Sequence, residues 1–171
     1  MQRRQPLPRL WLTTDERQGD GLWEALDRLP RGAGIVFRHY SLPPAERRRL
    51  FARIRKVARR KGLFLIGAGT RFPGAEGVHQ GRGRGGLRTA SAHDLAELKA
   101  AERAGATLVF LSPVFPTRSH PGAHTLGRLR FGLIARHAHV PVIALGGMDE
   151  RRWRGLRPLG AYGWAGIDAW S

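Results

Sequence analysis

Leu111-Ser-Pro-Val-Phe-Pro-Thr-Arg-Ser-His-Pro-Gly-Ala-His-Thr-Leu-Gly127, followed shortly by Val140-Pro-Val-Ile-Ala-Leu-Gly-Gly-Met148, decides how this chain is read. Each half begins as a short apolar run rich in β-branched residues, Thr107-Leu-Val-Phe-Leu-Ser112 and Pro141-Val-Ile-Ala-Leu145, a composition suited to parallel strands covered on both faces. Each run empties into a loop suited to an anion. Thr117 and Ser119 offer hydroxyls, Arg118 and His120 offer cations, and Gly146-Gly147 lets backbone amides approach a phosphate with no Cβ in the way. Two such strand ends facing one hollow would make a site.

At these residues the chain resembles the thiamine phosphate synthase and thiazole tautomerase superfamily, whose members are (β/α)8 barrels. The order strand, Ser-Pro-Val-Phe-x-Thr-x-Ser, helix, Pro-Val-Ile-Ala-Leu-Gly-Gly is similar to the sixth and seventh barrel strands and the loops behind them. Upstream, Leu10-Trp-Leu-Thr-Thr-Asp15 resembles the first strand, Ile35-Val-Phe-Arg38 the second, Gly77-Val-His-Gln-Gly81 the fourth and Ala90-Ser-Ala-His93 the fifth. A lone Gly-Gly behind a strand says little. Several segments in barrel order, covering nearly the whole chain, say much more.

The resemblance implies an α/β fold, a compact (β/α)8 TIM barrel forming one domain over residues 1–171. The coarse pattern alternates as such a barrel should, with strands expected at 9–14, 34–39, 63–67, 76–79, 87–91, 107–112, 141–145 and 162–167. Helices are expected at 19–30, 43–61, 92–105, 127–138 and 149–159. Barrels of this type use about 250 residues and rarely fewer than about 200, so helices must be reduced or missing. The shortage falls after the third strand (68–75), after the fourth (80–86) and after the eighth. The first two links are Gly-rich and shorter than the dozen or so residues of an ordinary parallel crossover. Strand surface left bare there predicts a homo-oligomer with a partner chain over the third-to-fifth strand side. The alternative is cover from within the chain by neighbouring helices and Phe64, Phe72 or Trp170.

The chain has no Cys, which excludes disulfides and thiolate metal sites and suits a reducing compartment. Residues 1–8 lack the apolar segment of a signal peptide and no stretch reaches membrane-spanning length, so a cytoplasmic protein with no membrane partner is expected. The charge is extreme: 30 Lys plus Arg against 13 Asp plus Glu, a net +17. Much of it sits in the segment 43–61, where Leu50, Phe51, Ile54, Val57 and Ala58 recur at helical spacing. Arg47, Arg48, Arg49, Arg53, Arg55, Lys56, Arg59, Arg60 and Lys61 occupy largely the remaining face. That reads as an outer helix with a solvated basic side. A basic nucleic-acid-binding module is the remote alternative, motivated by charge alone; nonspecific polyanion binding at low salt is expected in either case.

The resemblance assigns residues as well. Arg38 matches an arginine that clamps the pyrophosphate of a pyrimidine substrate, a task for which the guanidinium fork is suited. Thr117 and Ser119 match the hydroxyl pair on the thiazole phosphate, Gly146 and Gly147 the amide nest, and Ser91 a serine on the pyrimidine side. His79 and His93, at the ends of the fourth and fifth strands, read more as satisfied barrel histidines than as bases, and His79 is placed with Thr117, Arg118, Ser119, Gly146, Gly147 and Asp168 as a phosphate or substrate contact. The implied activity is that of a thiamine phosphate synthase, a transferase of thiamine biosynthesis. It couples hydroxymethylpyrimidine pyrophosphate to a thiazole phosphate and expels pyrophosphate, whose growing charge must be neutralised.

The family uses magnesium held by acidic residues, and here the pattern departs. The Asn-Asp-Arg position after the third strand reads Gly67-Ala68-Gly69, and the second aspartate's position reads Arg84. No metal ligand carries over, so Mg, which needs hard oxygen donors, is a family expectation this sequence does not support. The glutamine and lysine flanking the arginine become Val36 and Tyr40, a sixth-loop lysine becomes His120, and a phosphate-binding serine becomes Asp168. A carboxylate facing a phosphate repels it unless a cation intervenes, so Asp168 is expected to pair with Arg118 or to act as a base. Arg38, Arg82, Arg84 and Arg118 could replace the metal as a cationic clamp. Two other readings of the same fold remain, a thiazole tautomerase and a noncatalytic thiazole-phosphate binder. The tautomerase histidine falls at Pro113, which cannot move a proton, leaving His120 as its substitute.

Overall fold

The computed structural model describes residues 6–81, 85–118 and 121–170. Eight parallel strands close on themselves: β1 (Leu10–Thr13), β2 (Gly34–Phe37), β3 (Phe64–Ala68), β4 (Gly77–His79), β5 (Leu87–Ala92), β6 (Leu108–Leu111), β7 (Val142–Leu145) and β8 (Ala161–Gly166). Each pairs with the next, and β1 pairs with both β2, where Leu12 faces Ile35, and β8, where Leu10 faces Trp164. The strands coincide with the eight expected segments. Alternation sends Trp11, Val36, Ile66, Leu108, Phe110 and Ile143 into the barrel, where Trp11 meets Phe110 edge-on at 5.4 Å. Leu12, Ile35 and Leu65 point outward beneath the helices on one side, and Val109, Leu111 and Val142 on the other.

Among the described residues five α-helices pack outside: α1 (Gly21–Arg28), α2 (Pro44–Lys61), α3 (Leu95–Arg103), α4 (Gly127–Ala135) and α5 (Glu150–Leu156). Four are shorter by more than one residue than the spans the pattern suggested, α1 by two residues at each end and α3, α4 and α5 for local reasons. Asp94 and Asp149 are extended N-caps whose carboxylates accept from the Glu97 and Arg152 amides, so α3 and α5 start just after them. Pro158 converts the end of α5 to a 3-10 turn at Arg157–Leu159. The last is α4, which stops at Ala135, with 136–138 continuing as a loop.

No helix joins β3 to β4, and the described residues between β4 and β5 form none. Glu76 does the joining. Its amide donates to the Leu65 carbonyl at 2.9 Å, its carboxylate accepts from the Leu65 amide at 2.8 Å, and its carbonyl accepts from the Leu87 amide at 2.9 Å. One residue thus fixes three neighbouring strands. Gly77 follows because a Cβ there would lie 1.9 Å from the Leu87 carbonyl oxygen.

The bare flank is covered from within the chain. Phe72, in the β3–β4 link, stacks on Phe51 of α2 at 4.3 Å and meets Phe37 edge-on at 5.5 Å. Val78 of β4 is buried, and the large apolar side chains left exposed among the described residues, Tyr40, Leu95, Leu129 and Leu133, belong to the loop after β2 and to α3 and α4. After β8 a 3-10 turn, Asp168–Trp170, stacks Trp170 on Trp164 at 5.0 Å. The reason for placing a partner over strands three to five is therefore removed for the described residues. No helix is long and apolar enough to cross a membrane among those residues.

Candidate active site

The carboxyl ends of the strands surround a cavity of about 540 Å³. It is the position where barrels of this kind carry their chemistry, because the loops behind the strands are free to vary while the barrel holds them. Thr117 from the β6 loop, Gly146 and Gly147 from the β7 loop, Asp168 from the turn after β8 and Arg38 from the end of β2 line it together. Arg118 is exposed and lies off the cavity wall. Ser119, His120, Arg82 and Arg84 lie outside the described residues.

The β7 loop is built to present amides. Gly146 and Gly147 have φ of +98° and +58°, and the carbonyls of Leu145 and Gly146 accept from the Val114 and Phe115 amides at 2.9 and 3.1 Å. The Gly147 carbonyl accepts from the Arg152 guanidinium, which also lies 4.9 Å from the centre of the Phe115 ring. With three successive carbonyls committed to the β6 loop and α5, the amide side of the turn is left for the cavity. A Cβ on Gly147 would come within 2.4 Å of the Pro116 carbonyl oxygen.

Arg38 faces the same hollow without an ion pair or side-chain hydrogen bond among the described residues. Its amide donates to Thr14 Oγ1 at 3.0 Å. Under it, inside the barrel, His79 is buried, with Nδ1 2.8 Å from Thr89 Oγ1 and Nε2 3.2 Å from Ser91 Oγ. Burial, helped by the Arg38 charge, pushes the His79 pKa down to about 4, so the ring is neutral at neutral pH. His79 and Ser91 lie beneath the cavity rather than on its wall. Both His79 ring nitrogens therefore have partners inside the barrel, off the cavity wall on which a phosphate or substrate contact was expected.

His93 differs. Its Nδ1 lies 2.8 Å from the Ser112 carbonyl oxygen, which can only accept, so Nδ1 carries the proton and the other ring nitrogen keeps its lone pair while the ring is neutral. His93 also lines the cavity. Two further cavity residues escaped the sequence reading: His124, in the β6–α4 loop, and Arg130, whose Nη1 lies 3.4 Å from His124 Nε2. Arg130 adjoins the buried positions Phe131 and Ile134 on α4, the only sequence signal that could have pointed it inward. Asp168 makes no ion pair with Arg118 among the described residues; its charge acts on Arg17, whose guanidinium is held protonated first by its hydrogen bonds to Asp15, at 2.7 and 3.1 Å, and further by Asp168.

The donors present do not fit a magnesium ion. Gly67, Ala68 and Gly69 put no carboxylate at the end of β3, the Asp94 carboxylate caps α3, and no group of three or more His, Asp or Glu comes together among the described residues.

The eight parallel strands close into a TIM barrel with a cavity at their carboxyl ends, the architecture of an α/β-barrel protein that carries its site behind the strands. The family model for thiamine monophosphate synthase matches residues 11–170. The chain belongs to that family, and so to the transferases of thiamine biosynthesis, which act on small phosphorylated substrates. It is 33% identical to a protein of Aquifex aeolicus provisionally designated thiamine-phosphate synthase 2, over 94% of this chain and 96% of that one. It is 35% identical to a thiamine-phosphate synthase of Salinispora tropica over 63% of this chain and 55% of that one. Among solved structures, the thiamine phosphate pyrophosphorylase of Pyrococcus furiosus superposes with a TM-score of 0.77 at 25% identity, covering 95% of this chain and 86% of that one.

Proposed function

We propose that this protein couples hydroxymethylpyrimidine pyrophosphate to a thiazole phosphate with release of pyrophosphate. The observation that carries the reading is the convergence of Thr117, Gly147 and Arg38 on one cavity. The thiazole phosphate would sit against the Gly146–Gly147 amides and the Thr117 hydroxyl. Arg38, which makes no ion pair among the described residues, would face the pyrophosphate. As the bond from the pyrimidine methylene to pyrophosphate breaks, the leaving group takes the electron pair, and a fixed guanidinium stabilises the charge that grows there. The methylene then bonds to the thiazole. Purified protein supplied with both substrates, with and without magnesium, should form thiamine phosphate and pyrophosphate in equal amounts. Absence of product under both conditions would overturn this reading.

A second reading is favoured by one feature, the lack of carboxylates at the end of β3 beside a cavity that Thr117, Gly146 and Gly147 still line. It is a noncatalytic binder of thiazole phosphate. Tight binding of the thiazole phosphate, no binding of the pyrimidine pyrophosphate and no product would select it.

A further inference from the structure

We propose that Arg47 is a positioning residue that holds Arg38 in the cavity by clamping the backbone behind it. Arg47 lies in the first turn of α2, where a side chain directed back toward the helix N-terminus reaches the carboxyl ends of the strands. Its Nε and Nη2 both donate to the Arg38 carbonyl, at 3.0 and 2.7 Å, and Nη2 also donates to the Ala68 carbonyl at 2.9 Å. The guanidinium is packed among Phe37, Tyr40 and Phe72, 5.0 to 5.6 Å from their ring centres. One side chain of α2 therefore ties the end of β2 to the end of β3.

The backbone it clamps needs holding. His39, immediately after Arg38, has a φ of +37°, a left-handed conformation that a side chain disfavours. The turn is kept by Thr14 on one side, through the Arg38 amide and His39 Nδ1, and by Arg47 on the other, through the Arg38 carbonyl. Without the clamp the peptide between Arg38 and His39 is free to rotate, and the Arg38 guanidinium leaves its place above His79.

The inference rests on the proposed role of Arg38 toward pyrophosphate, and its test is separable from that role. Arg47→Gln, Arg38→Met and the double variant are titrated calorimetrically with inorganic pyrophosphate, and the His79 ring is titrated by NMR in each. Each single variant should lose about tenfold or more in affinity, and His79 should titrate higher than in the parent, since the Arg38 charge has left it. The double variant should lose no more than Arg38→Met alone, because both changes remove one guanidinium from one place. Arg47→Lys, which keeps the charge but not the fork, should fall between the parent and Arg47→Gln, and serves if the Gln variant does not fold. Additive losses in the double variant, or an unchanged His79 titration in Arg47→Gln, overturn the inference. If the parent binds no pyrophosphate, the proposed function fails, and the His79 titrations alone still decide the role of Arg47.

Discussion

His79 on β4 and Thr89 on β5 meet inside the barrel, Nδ1 to Oγ1 at 2.8 Å, and burial keeps the histidine neutral with a pKa of about 4. In the unfolded chain the same ring titrates near its ordinary value of about 6.5. Between those values the unfolded state binds more protons than the native one, so stability falls as pH falls through this window. The stabilisation is fully present above about pH 6.5, and its complete loss near pH 4 is worth at most about 3 kcal/mol. His39, also lowered chiefly by burial, acts in the same direction. Urea melts from pH 7 to pH 4.5 should show a shallower pH dependence for His79→Gln than for the parent; equal slopes would refute the buried neutral histidine.

Gly147→Ala should cost more than the strain of its φ. At +58° an alanine pays about 1 to 2 kcal/mol for the left-handed backbone, and here its Cβ also meets the Pro116 carbonyl oxygen at 2.4 Å. Relief requires the β6 and β7 loops to part, which opens the amide turn. Binding of inorganic phosphate should drop at least tenfold by calorimetry. Gly122→Ala is the control: its φ of +78° imposes similar strain, but nothing lies within 4 Å of the added Cβ. Equal phosphate affinity in the two variants would show that the Gly147 turn does not hold the anion.

Phe72→Ala tests how the helix-poor flank is closed. The ring is 5% exposed, stacked on Phe51 and edge-on to Phe37, so its removal should destabilise the fold by about 3 to 5 kcal/mol in urea unfolding. Leu129→Ala, at a side chain 78% exposed on α4, should change stability by less than about 0.5 kcal/mol. A Phe72 variant as stable as the Leu129 variant would mean that something other than this aromatic cluster closes the flank.

What the sequence disclosed and what it concealed follow from geometry. The runs 107–112 and 141–145 were legible because buried parallel strands need unbroken β-branched apolar stretches, and the loops behind them because Ser-Pro-Val-Phe-Pro-Thr and Gly146-Gly147 stand in barrel order with the other segments. The short links 68–75 and 80–86 announced by length alone that no helix joins β3 to β4 and that none forms among the described residues between β4 and β5. Arg47 was concealed. Helical periodicity sorts residues by face, and it assigned Arg47 to the solvated basic side with Arg48 and Arg49; its side chain instead runs past the helix end to two strand carbonyls. Periodicity says nothing about reach. Phe72 was one aromatic among glycines, and His124 and Arg130 join the cavity only through the path of a loop that no local pattern specifies.

The arginines proposed as a cationic clamp are not equivalent, and binding should separate them. Arg38 lines the cavity without an ion pair among the described residues, whereas Arg118 is exposed and off its wall. A guanidinium that meets the ligand in a partly desolvated cavity contributes far more than one screened by solvent. Arg38→Met should therefore weaken inorganic pyrophosphate binding at least tenfold at 0.15 M salt, while Arg118→Met changes it less than about twofold. Raising the salt should narrow any small Arg118 effect and leave the Arg38 loss largely intact, because screening acts on exposed charges first. Should Arg118→Met instead cause the larger loss, the anion would have to sit outside the cavity, against the exposed β6 loop, and the assignment of pyrophosphate to the end of β2 would fall with it.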